Sequence, residues 1–303
     1  MQDAASAPQP FNAGEVIISH VANSDPAHPL IPLPTLWGID LSVSKHVFML
    51  WLVAAIVFIV ATSFVRRYLR QPAPVPTGFM NVLELTAVFI RDQVARPNVG
   101  EKWVGVWTPL LLTMFIFILA ANTIGLIPIF DLVALIDHLV LHTGEHSFLK
   151  RLVHGGPTAT GNFNVTAGLA TVTFVAIIVA GTRAHGFVRH WLNMIPSGVP
   201  WPLYFLLIPL EFLGMLVRPF ALTMRLAANM TGGHIALLAI ISFVFIFAEL
   251  AGSALVGIGT GVGFAVPLAV GISALEMIVV LVQAYVFTLL SAVFIGMAIH
   301  AHH

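Results

Sequence analysis

Long apolar runs, separated by short breaks of charged residues, proline and glycine, fill the chain after its first 45 residues. A helix of about 20 apolar residues spans the roughly 30 Å of hydrocarbon in a bilayer, and three of the runs have about that length. A fourth run is long enough for two helices. The four runs occupy residues 46–65, 104–127, 165–182 and 203–299. This pattern predicts an all-α integral membrane protein with three crossing helices, followed by longer membrane helices.

The fourth run contains a glycine-rich segment that predicts a turn. Five glycines stand close together between residues 252 and 263, ahead of Pro267. A turn there leaves two helices, residues 203–251 and 264–299, and each is longer than a perpendicular crossing requires. The C-terminal part of the chain is therefore expected to form a long, tilted helical hairpin.

The segments between the apolar runs predict parts of the chain outside the hydrocarbon. Residues 1–45 are polar and Pro-rich, and we expect an external N-terminal tail. Residues 81–101 mix apolar side chains with a few charged ones, which is typical of a helix on the membrane surface. Residues 128–163 carry several charges and four histidines and are expected to form an external loop. Residues 46–300 then make up a single membrane domain.

Composition supports this fold class and excludes others. The chain has 303 residues, of which 58% are hydrophobic and 9% charged, and its mean hydropathy is +0.97. An average soluble domain has roughly 25% charged residues, so this chain could not cover its own surface in water. It contains no cysteine, which excludes disulfides, thiolate metal sites and cysteine catalysis. Its net charge of zero gives no electrostatic basis for binding nucleic acid, and no cofactor or metal is expected.

Clusters of arginine predict the orientation of the chain in the membrane. Arg66, Arg67 and Arg70 follow the first apolar run, and Arg183 and Arg189 follow the third. Cytoplasmic loops carry an excess of Lys and Arg. The N-terminus is therefore expected outside and the C-terminus in the cytoplasm.

Several ionisable residues stand inside the long C-terminal run. A charged side chain at the bilayer centre costs about 2.5 to 3.5 kcal/mol on insertion scales, so each is a candidate for function. Glu211, Arg218 and Arg225 are seven residues apart, which places all three within about 40° on one helical face. Asn229 lies one turn beyond Arg225, whereas His234 falls on the opposite side. Seven residues is about 10 Å of rise, so the side chains of Glu211 and Arg218 are expected to be too far apart for direct contact.

A second polar line is predicted on the final helix. Glu276 and Gln283 are also seven residues apart and therefore share a face. Two hydrophilic lines on adjacent helices suggest a route for protons or ions. Glu249 stands near the glycine-rich turn, where it could form the mouth of an access channel. Small residues such as Ala227, Gly232 and Gly233 would let another helix approach closely, and that helix need not belong to this chain.

Motifs in the same region resemble a known family. The run RPFALTMRLAANMTGGH at residues 218–234, followed by Glu276 and Gln283, resembles the signature of subunit a of F-type ATP synthases. The stretch NTIGLIP at residues 122–128 is similar to the N-x-x-G-L-x-P pattern of that family, and PTATGNFNVTAGLA at residues 157–170 adds support. The resemblance covers most of the chain after its polar tail.

The resemblance implies a proton-translocating stator subunit of a two-sector ATP synthase, with no chemistry of its own. In this family a ring of c subunits, each with one carboxyl at mid-membrane, rotates past subunit a. Two aqueous half-channels open to opposite sides of the membrane and meet the ring. Arg225 would hold the facing carboxyl ionised and so prevent protons from passing directly. Arginine suits this role because its side chain is not deprotonated in proteins.

The resemblance also implies roles along the proton path. Glu276 and His234 match positions where the family places ionisable groups of the entry channel, and they would relay protons together. Asn229 would line the channel, and Gln283 would order water or contact Arg225. For Asn229 and Gln283 the structural alternative is ordinary hydrogen bonding between helices. For Glu276 and His234 it is a satisfied buried pair with no role in transport.

The resemblance implies less specific roles for Glu211 and Arg218, which stand closer to the start of the long apolar run. Glu211 is assigned to the cytoplasmic half-channel, with a structural ion pair as its alternative. Arg218 could sit at the membrane interface and extend its guanidinium toward the headgroups.

The implied partners are an oligomeric c-ring, b-type peripheral stalk subunits, the soluble F-type ATPase sector and the lipid bilayer. The implied location is a bacterial inner membrane or an equivalent energy-coupling membrane.

Two other classes fit parts of the pattern. A proton-coupled secondary transporter also carries arginine and glutamate within the membrane, but it predicts repeated halves with broken helices. No internal repeat is visible in the sequence. A haem-bearing quinone oxidoreductase subunit needs paired axial histidines inside crossing helices, and only His234 is clearly interior. The transporter is therefore the stronger alternative.

Overall fold

The computed structural model describes residues 12–21, 29–36, 39–40, 42–70, 75–127, 158–192 and 200–300, and most of these are helical. The helices are α1 Ala13–Val21, α2 Lys45–Leu69, α3 Phe79–Phe89, α4 Arg96–Val99, α5 Glu101–Leu126, α6 Phe163–His185, α7 Phe187–Leu192, α8 Trp201–Leu250, α9 Ala254–Thr260 and α10 Val266–Ile299. The π-helical turns Ile90–Ala95 and Gly261–Ala265 join α3 to α4 and α9 to α10, and a short 3-10 turn covers Ala159–Gly161. A small antiparallel ribbon pairs β1 Thr35–Leu36 with β2 Ile39–Asp40.

Among these described residues, five helical segments are long and apolar enough to cross a membrane. They are Lys45–Leu69, Glu101–Leu126, Phe163–His185, Pro202–Leu250 and Ala254–Ile299. The prediction of an all-α integral membrane protein is confirmed. The segment from α3 to α4, which the sequence placed on the membrane surface, is not one of the five.

The turn between the last two long helices is shorter than expected and lies at the start of the glycine-rich segment. α8 ends at Leu250, and helix resumes at Ala254 instead of near residue 264. Of the five glycines between residues 252 and 263, only Gly252 has a positive φ, 61°, which favours glycine. Gly257 serves packing instead, because a Cβ atom there would lie 2.5 Å from the Cβ of Ala248.

The chain divides into two compact units, and α8 and α10 contribute to both. The first, here called the bundle unit, comprises His46–Ile124, Ala159–Ala228 and Val280–His303. The second, here called the hairpin unit, comprises Met1–Lys45, Gly125–Thr158 and Asn229–Val279.

The core of the bundle unit is built from apolar side chains of α5, α6, α8 and α10 and of residues 90–99. Leu111 and Ile118 of α5 and Phe287 of α10 are fully buried. Gly296 brings backbones into contact, because a Cβ atom there would overlap the carbonyl oxygen of Asn98. Close approach at small residues matters here, since lipid is as apolar as the helices and gives them little hydrophobic reason to associate.

Buried polar groups also join the elements of the bundle unit. The hydroxyl oxygens of Thr173 on α6 and Ser291 on α10 lie 3.0 Å apart. The hydroxyl of Thr160 donates to the side-chain oxygen of Asn122 at 2.6 Å, which connects the PTATGN stretch to the NTIGLIP stretch. Asn162 caps α6 by accepting from two backbone N–H groups of its first turn. Both motifs thus contribute contacts that fix the bundle.

In the hairpin unit, part of the N-terminal segment folds back on itself. The backbone N–H of Val43 donates to the carbonyl of Ile31 at 3.0 Å, and the N–H of Leu30 donates to the carbonyl of Val43 at 3.0 Å. Leu30 and Val43 are buried. The sequence predicted only a polar tail here and gave no sign of this ribbon. The first 11 residues, and residues 128–157 of the predicted external loop, lie outside the described residues.

Candidate functional site

Arg225 lies on an exposed face of α8, within the bundle unit. Leu222 and Leu226 point into the core and are 2% and 0% exposed, so the helix turns its apolar side inward at this point. Ala221 and Ala228, about one turn away on either side of Arg225, are exposed with it. Across the residues that the structure describes, the Arg225 guanidinium forms no ion pair and no hydrogen bond. The bundle unit therefore presents an uncompensated cation on a face of small side chains.

Arg218 differs from Arg225 because it has partners in its own chain. Its Nη2 atom lies 3.9 Å from Oε1 of Glu211, and its Cζ atom lies 5.7 Å from the centroid of the Phe294 ring. The expectation that Glu211 and Arg218 are too far apart for contact is wrong. Two long side chains that extend toward each other close the roughly 10 Å of helical rise between their backbones.

Gln283 lies in the interior of the bundle unit, on α10. Its side chain is 5% exposed and is followed by the fully buried Ala284. Its amide is therefore enclosed by the bundle instead of facing lipid.

Glu276 packs against a glycine of α8 in the hairpin unit. A Cβ atom on Gly233 would overlap the carboxylate oxygen Oε1 of Glu276 and would lie 3.2 Å from its Cγ. Because Gly233 directly precedes His234, the carboxylate reaches the turn of α8 that carries the imidazole. Glu276 and His234 are both half-buried. The structure thus brings these two predicted residues into one neighbourhood.

Asn229 and Glu249 also belong to the hairpin unit, and both are exposed on α8. Glu249 lies in the last turn of that helix, next to the turn at Gly252.

The sequence did not predict that Gly233 makes room for the carboxylate of Glu276. It indicated only that small residues in this region would let another helix approach closely. Gly232, the neighbour of Gly233, has nothing within 4 Å of the position that a Cβ atom would take. Only the fold distinguishes the two, since the carboxylate that Gly233 accommodates comes from α10, far along the chain.

In the described part of the chain, no group of three or more His, Asp or Glu is placed to hold a metal ion. The four histidines of the predicted external loop, His138, His142, His146 and His154, lie outside the described residues.

His190 of α7 is buried against α6. Its ring lies directly over Gly181, where a Cβ atom would overlap it, and its side chain is 6% exposed. Within the described structure, its Nε2 atom has no hydrogen-bond partner. Burial lowers the pKa of His190 from its ordinary value of 6.5, and the nearby His185 lowers it further. The folded protein therefore favours the neutral ring.

Acid should destabilise the packing of α7 through His190. A ring with a lowered pKa in the folded state contributes its stability above pH 6.5, and this is lost as the pH falls through the folded pKa. We expect the melting temperature of the purified chain to drop by a few degrees between neutral and mildly acidic pH, at about 2 to 4 °C per kcal/mol. Thermal scans of the native chain and of His190→Gln measure this. Equal pH dependence in the native chain and in His190→Gln would contradict the assignment.

Comparison with known proteins agrees with this arrangement of apolar helices and intramembrane charges. A family model described as ATP synthase A chain matches residues 47–296. The chain is 38% identical over 302 residues to ATP synthase subunit a of Chlorobium phaeobacteroides, which covers 96% of this chain and 77% of that relative. It is 40% identical over 295 residues to ATP synthase subunit a 2 of Chlorobium luteolum, with 94% and 76% covered. It is 37% identical over 298 residues to ATP synthase subunit a of Pelodictyon phaeoclathratiforme, again with 94% and 76% covered.

The fold and these matches define a multi-pass membrane subunit of a proton-transporting complex. The chain belongs to the ATP synthase A chain family. It is the membrane channel subunit of an ATP synthase and is not itself catalytic. The family expectation drawn from the motifs is confirmed.

Proposed function

We propose that this chain is the stator of the proton motor, in which Arg225 separates two aqueous half-channels that serve the carboxyls of a rotating c-ring. The observation that carries the proposal is the exposed, uncompensated guanidinium of Arg225 on a long apolar helix. A charge in hydrocarbon is costly, so such a group needs an anion or water from outside the described chain. A ring carboxyl that passes over a face formed by Ala221 and Ala228 supplies that anion.

Arg225 then acts by fixing the protonation state of its partner. A nearby positive charge favours the ionised carboxyl, so a ring subunit that faces Arg225 carries no proton past it. Protons that enter by one half-channel leave by the other only after the ring has turned. The membrane potential supplies about 2.3 kcal/mol per charge per 100 mV to this rotation.

Glu276 and His234 form the proton relay of the entry half-channel in this proposal. The contact between Glu276 and Gly233, which directly precedes His234, supports a joint role, and an imidazole can both take up and release a proton near neutral pH. Asn229 lines the same path and Glu249 forms its mouth.

On the other side of Arg225, Glu211 belongs to the cytoplasmic half-channel, and Gln283 orders water close to the guanidinium. The proposed orientation places the N-terminus outside and the C-terminus in the cytoplasm. The proposed partners are the c-ring, b-type stalk subunits and the soluble ATPase sector.

Filling the space at Gly233 should impair transport without unfolding the protein. In Gly233→Ala the new methyl group displaces the carboxylate of Glu276, which can swing aside because it ends a flexible side chain. Displacing a reacting group by on the order of 1 Å can slow its reaction up to about 100-fold. We expect ATP-driven acidification of membrane vesicles to fall at least several-fold, with normal amounts of assembled complex.

The control is Gly271→Ala, on the same helix as Glu276, because a Cβ atom there meets nothing within 4 Å. This variant should pump at close to the native rate. Equal pumping rates in the two alanine variants would show that transport does not depend on the contact between Gly233 and Glu276.

Purification distinguishes the motor from the transporter alternative. A stator extracted in mild detergent should bring with it a ring of small hairpin proteins and the soluble ATPase subunits, and the reconstituted complex should acidify vesicles on addition of ATP. A secondary transporter would instead purify alone and accumulate a solute when a proton gradient is imposed. The second outcome would overturn the proposed function.

A further inference from the structure

Three arginines at the end of α2 carry positive charge that the described structure does not neutralise. Arg66 and Arg67 lie in the last turn of α2, Arg70 follows it, and all three are exposed. None of them forms an ion pair with any described residue. The sequence supplies no carboxylate nearby, because no Asp or Glu occurs from residue 41 to residue 83.

Two other arginines of the bundle unit, Arg91 and Arg96, are neutralised by carboxylates of their own chain, unlike those at the end of α2. Arg91 binds Asp92 at 2.8 Å. Arg96 lies 3.1 Å from Asp92 and 3.1 Å from Glu101. An anion from outside the chain would therefore be attracted to the end of α2 rather than to this paired cluster.

Exposed apolar side chains stand directly beside the three free arginines. Leu69, in the same turn, is 69% exposed. The rings of Phe64 on α2 and Phe79 on α3 have centroids 4.7 Å apart, which places the start of α3 against the end of α2. Phe79 and Val82 are also exposed. We call Phe64, Arg66, Arg67, Leu69, Arg70 and Phe79 the basic corner.

We infer that the basic corner binds an anionic phospholipid, with its phosphate against the arginines and its acyl chains against the apolar side chains. Guanidinium groups bind phosphate through paired, charge-assisted hydrogen bonds. A free phosphate ion would satisfy the arginines but would leave the exposed apolar surface of Phe64, Leu69 and Phe79 uncovered. A phospholipid matches both parts of the surface. The arginines thus form a lipid site in addition to marking the orientation of the first span.

A fluorescent reporter next to the corner can test the site in the full chain. The chain has no cysteine, so Ser63→Cys, at an exposed position one turn before Arg66, gives a unique thiol for a fluorophore. The labelled chain is reconstituted in phosphatidylcholine vesicles that contain nitroxide-labelled phosphatidylglycerol or nitroxide-labelled phosphatidylcholine. We expect phosphatidylglycerol to reach half-maximal quenching at a clearly lower mole fraction.

Variants then assign that preference to the arginines. Replacing all three with glutamine should weaken it by about fivefold per arginine, the value of one basic residue at an anionic membrane surface. Replacement with lysine should retain only part of it, because the charge is kept but the paired hydrogen bonds of the guanidinium are lost. The matched control Arg91→Gln/Arg96→Gln, which removes two neutralised arginines, should leave the preference unchanged.

Three results would overturn the lipid site. Equal quenching by the two lipids in the native chain would show no anion preference, and an undiminished preference in the triple glutamine variant would place it elsewhere. Displacement of labelled phosphatidylglycerol by inorganic phosphate would show that the corner takes a free anion. A triple glutamine variant that fails to fold leaves the lysine variant and the native chain to decide the question.

Discussion

Replacing Arg225 by alanine is expected to abolish ATP-driven proton pumping in membrane vesicles while the complex stays assembled. Without the guanidinium, the facing ring carboxyl is no longer held ionised, and a proton could pass between the half-channels without rotation. Arg225 is exposed and makes no ion pair among the described residues, so its loss should cost the fold little. The measurements are fluorescence quenching on addition of ATP and the recovery of subunits from purified membranes.

Two further variants make this result specific to Arg225. Arg225→Lys keeps a cation of similar reach, but a lysine in a poorly hydrated site can lose its proton, so pumping should stay far below the native rate. Arg218→Gln, on the same helix, should retain most activity, because Arg218 is held by Glu211 and Phe294. Native pumping in Arg225→Ala would refute the central role of this residue.

Replacing Glu276 by glutamine is expected to slow pumping by about 100-fold or more, the usual contribution of a positioned acid–base group. Glutamine keeps the shape of the side chain against Gly233 but cannot take up or release a proton. The passive proton permeability of the vesicles should stay low, since Arg225 still blocks direct passage. Measuring the ATP-driven rate and the passive leak in the same vesicles separates this variant from Arg225→Ala.

His234→Ala should also slow pumping, because His234 directly follows Gly233, against which the carboxylate of Glu276 packs. Glu84→Gln is the matched control, since it removes an exposed carboxylate from α3. Native rates in both Glu276→Gln and His234→Ala would exclude these residues from the proton path.

The membrane helices could be predicted from the sequence because their physical cause is local. Runs of apolar residues of bilayer length specify a crossing helix, and the structure contains five such segments in its described part. The end of a helix depends on finer features. Gly252 and Gly257 look alike in the sequence, yet one forms the turn through its positive φ and the other packs against Ala248.

Contacts between distant residues could not be predicted in the same way. The spacing of Glu211 and Arg218 indicated a shared helical face but not the reach of their side chains, which brings them to 3.9 Å. The role of Gly233 depends on the fold, because Glu276 packs against it from a helix far along the chain. The intramembrane charges themselves were identifiable, because their energetic cost in hydrocarbon marks them in any sequence.

The π-helical turn at Gly261–Ala265 gives the hairpin a tolerance to changes in length. A π turn encloses one residue more than an α turn between its hydrogen-bonded groups. Losing one residue there would convert the turn to regular α-helix and leave Glu276 directed at Gly233. The same loss between Val266 and Leu275 would rotate the carboxylate by about 100° relative to the preceding helix. A single-residue deletion in this part of the hairpin should therefore be tolerated best at this turn, which holds one residue more than regular α-helix needs.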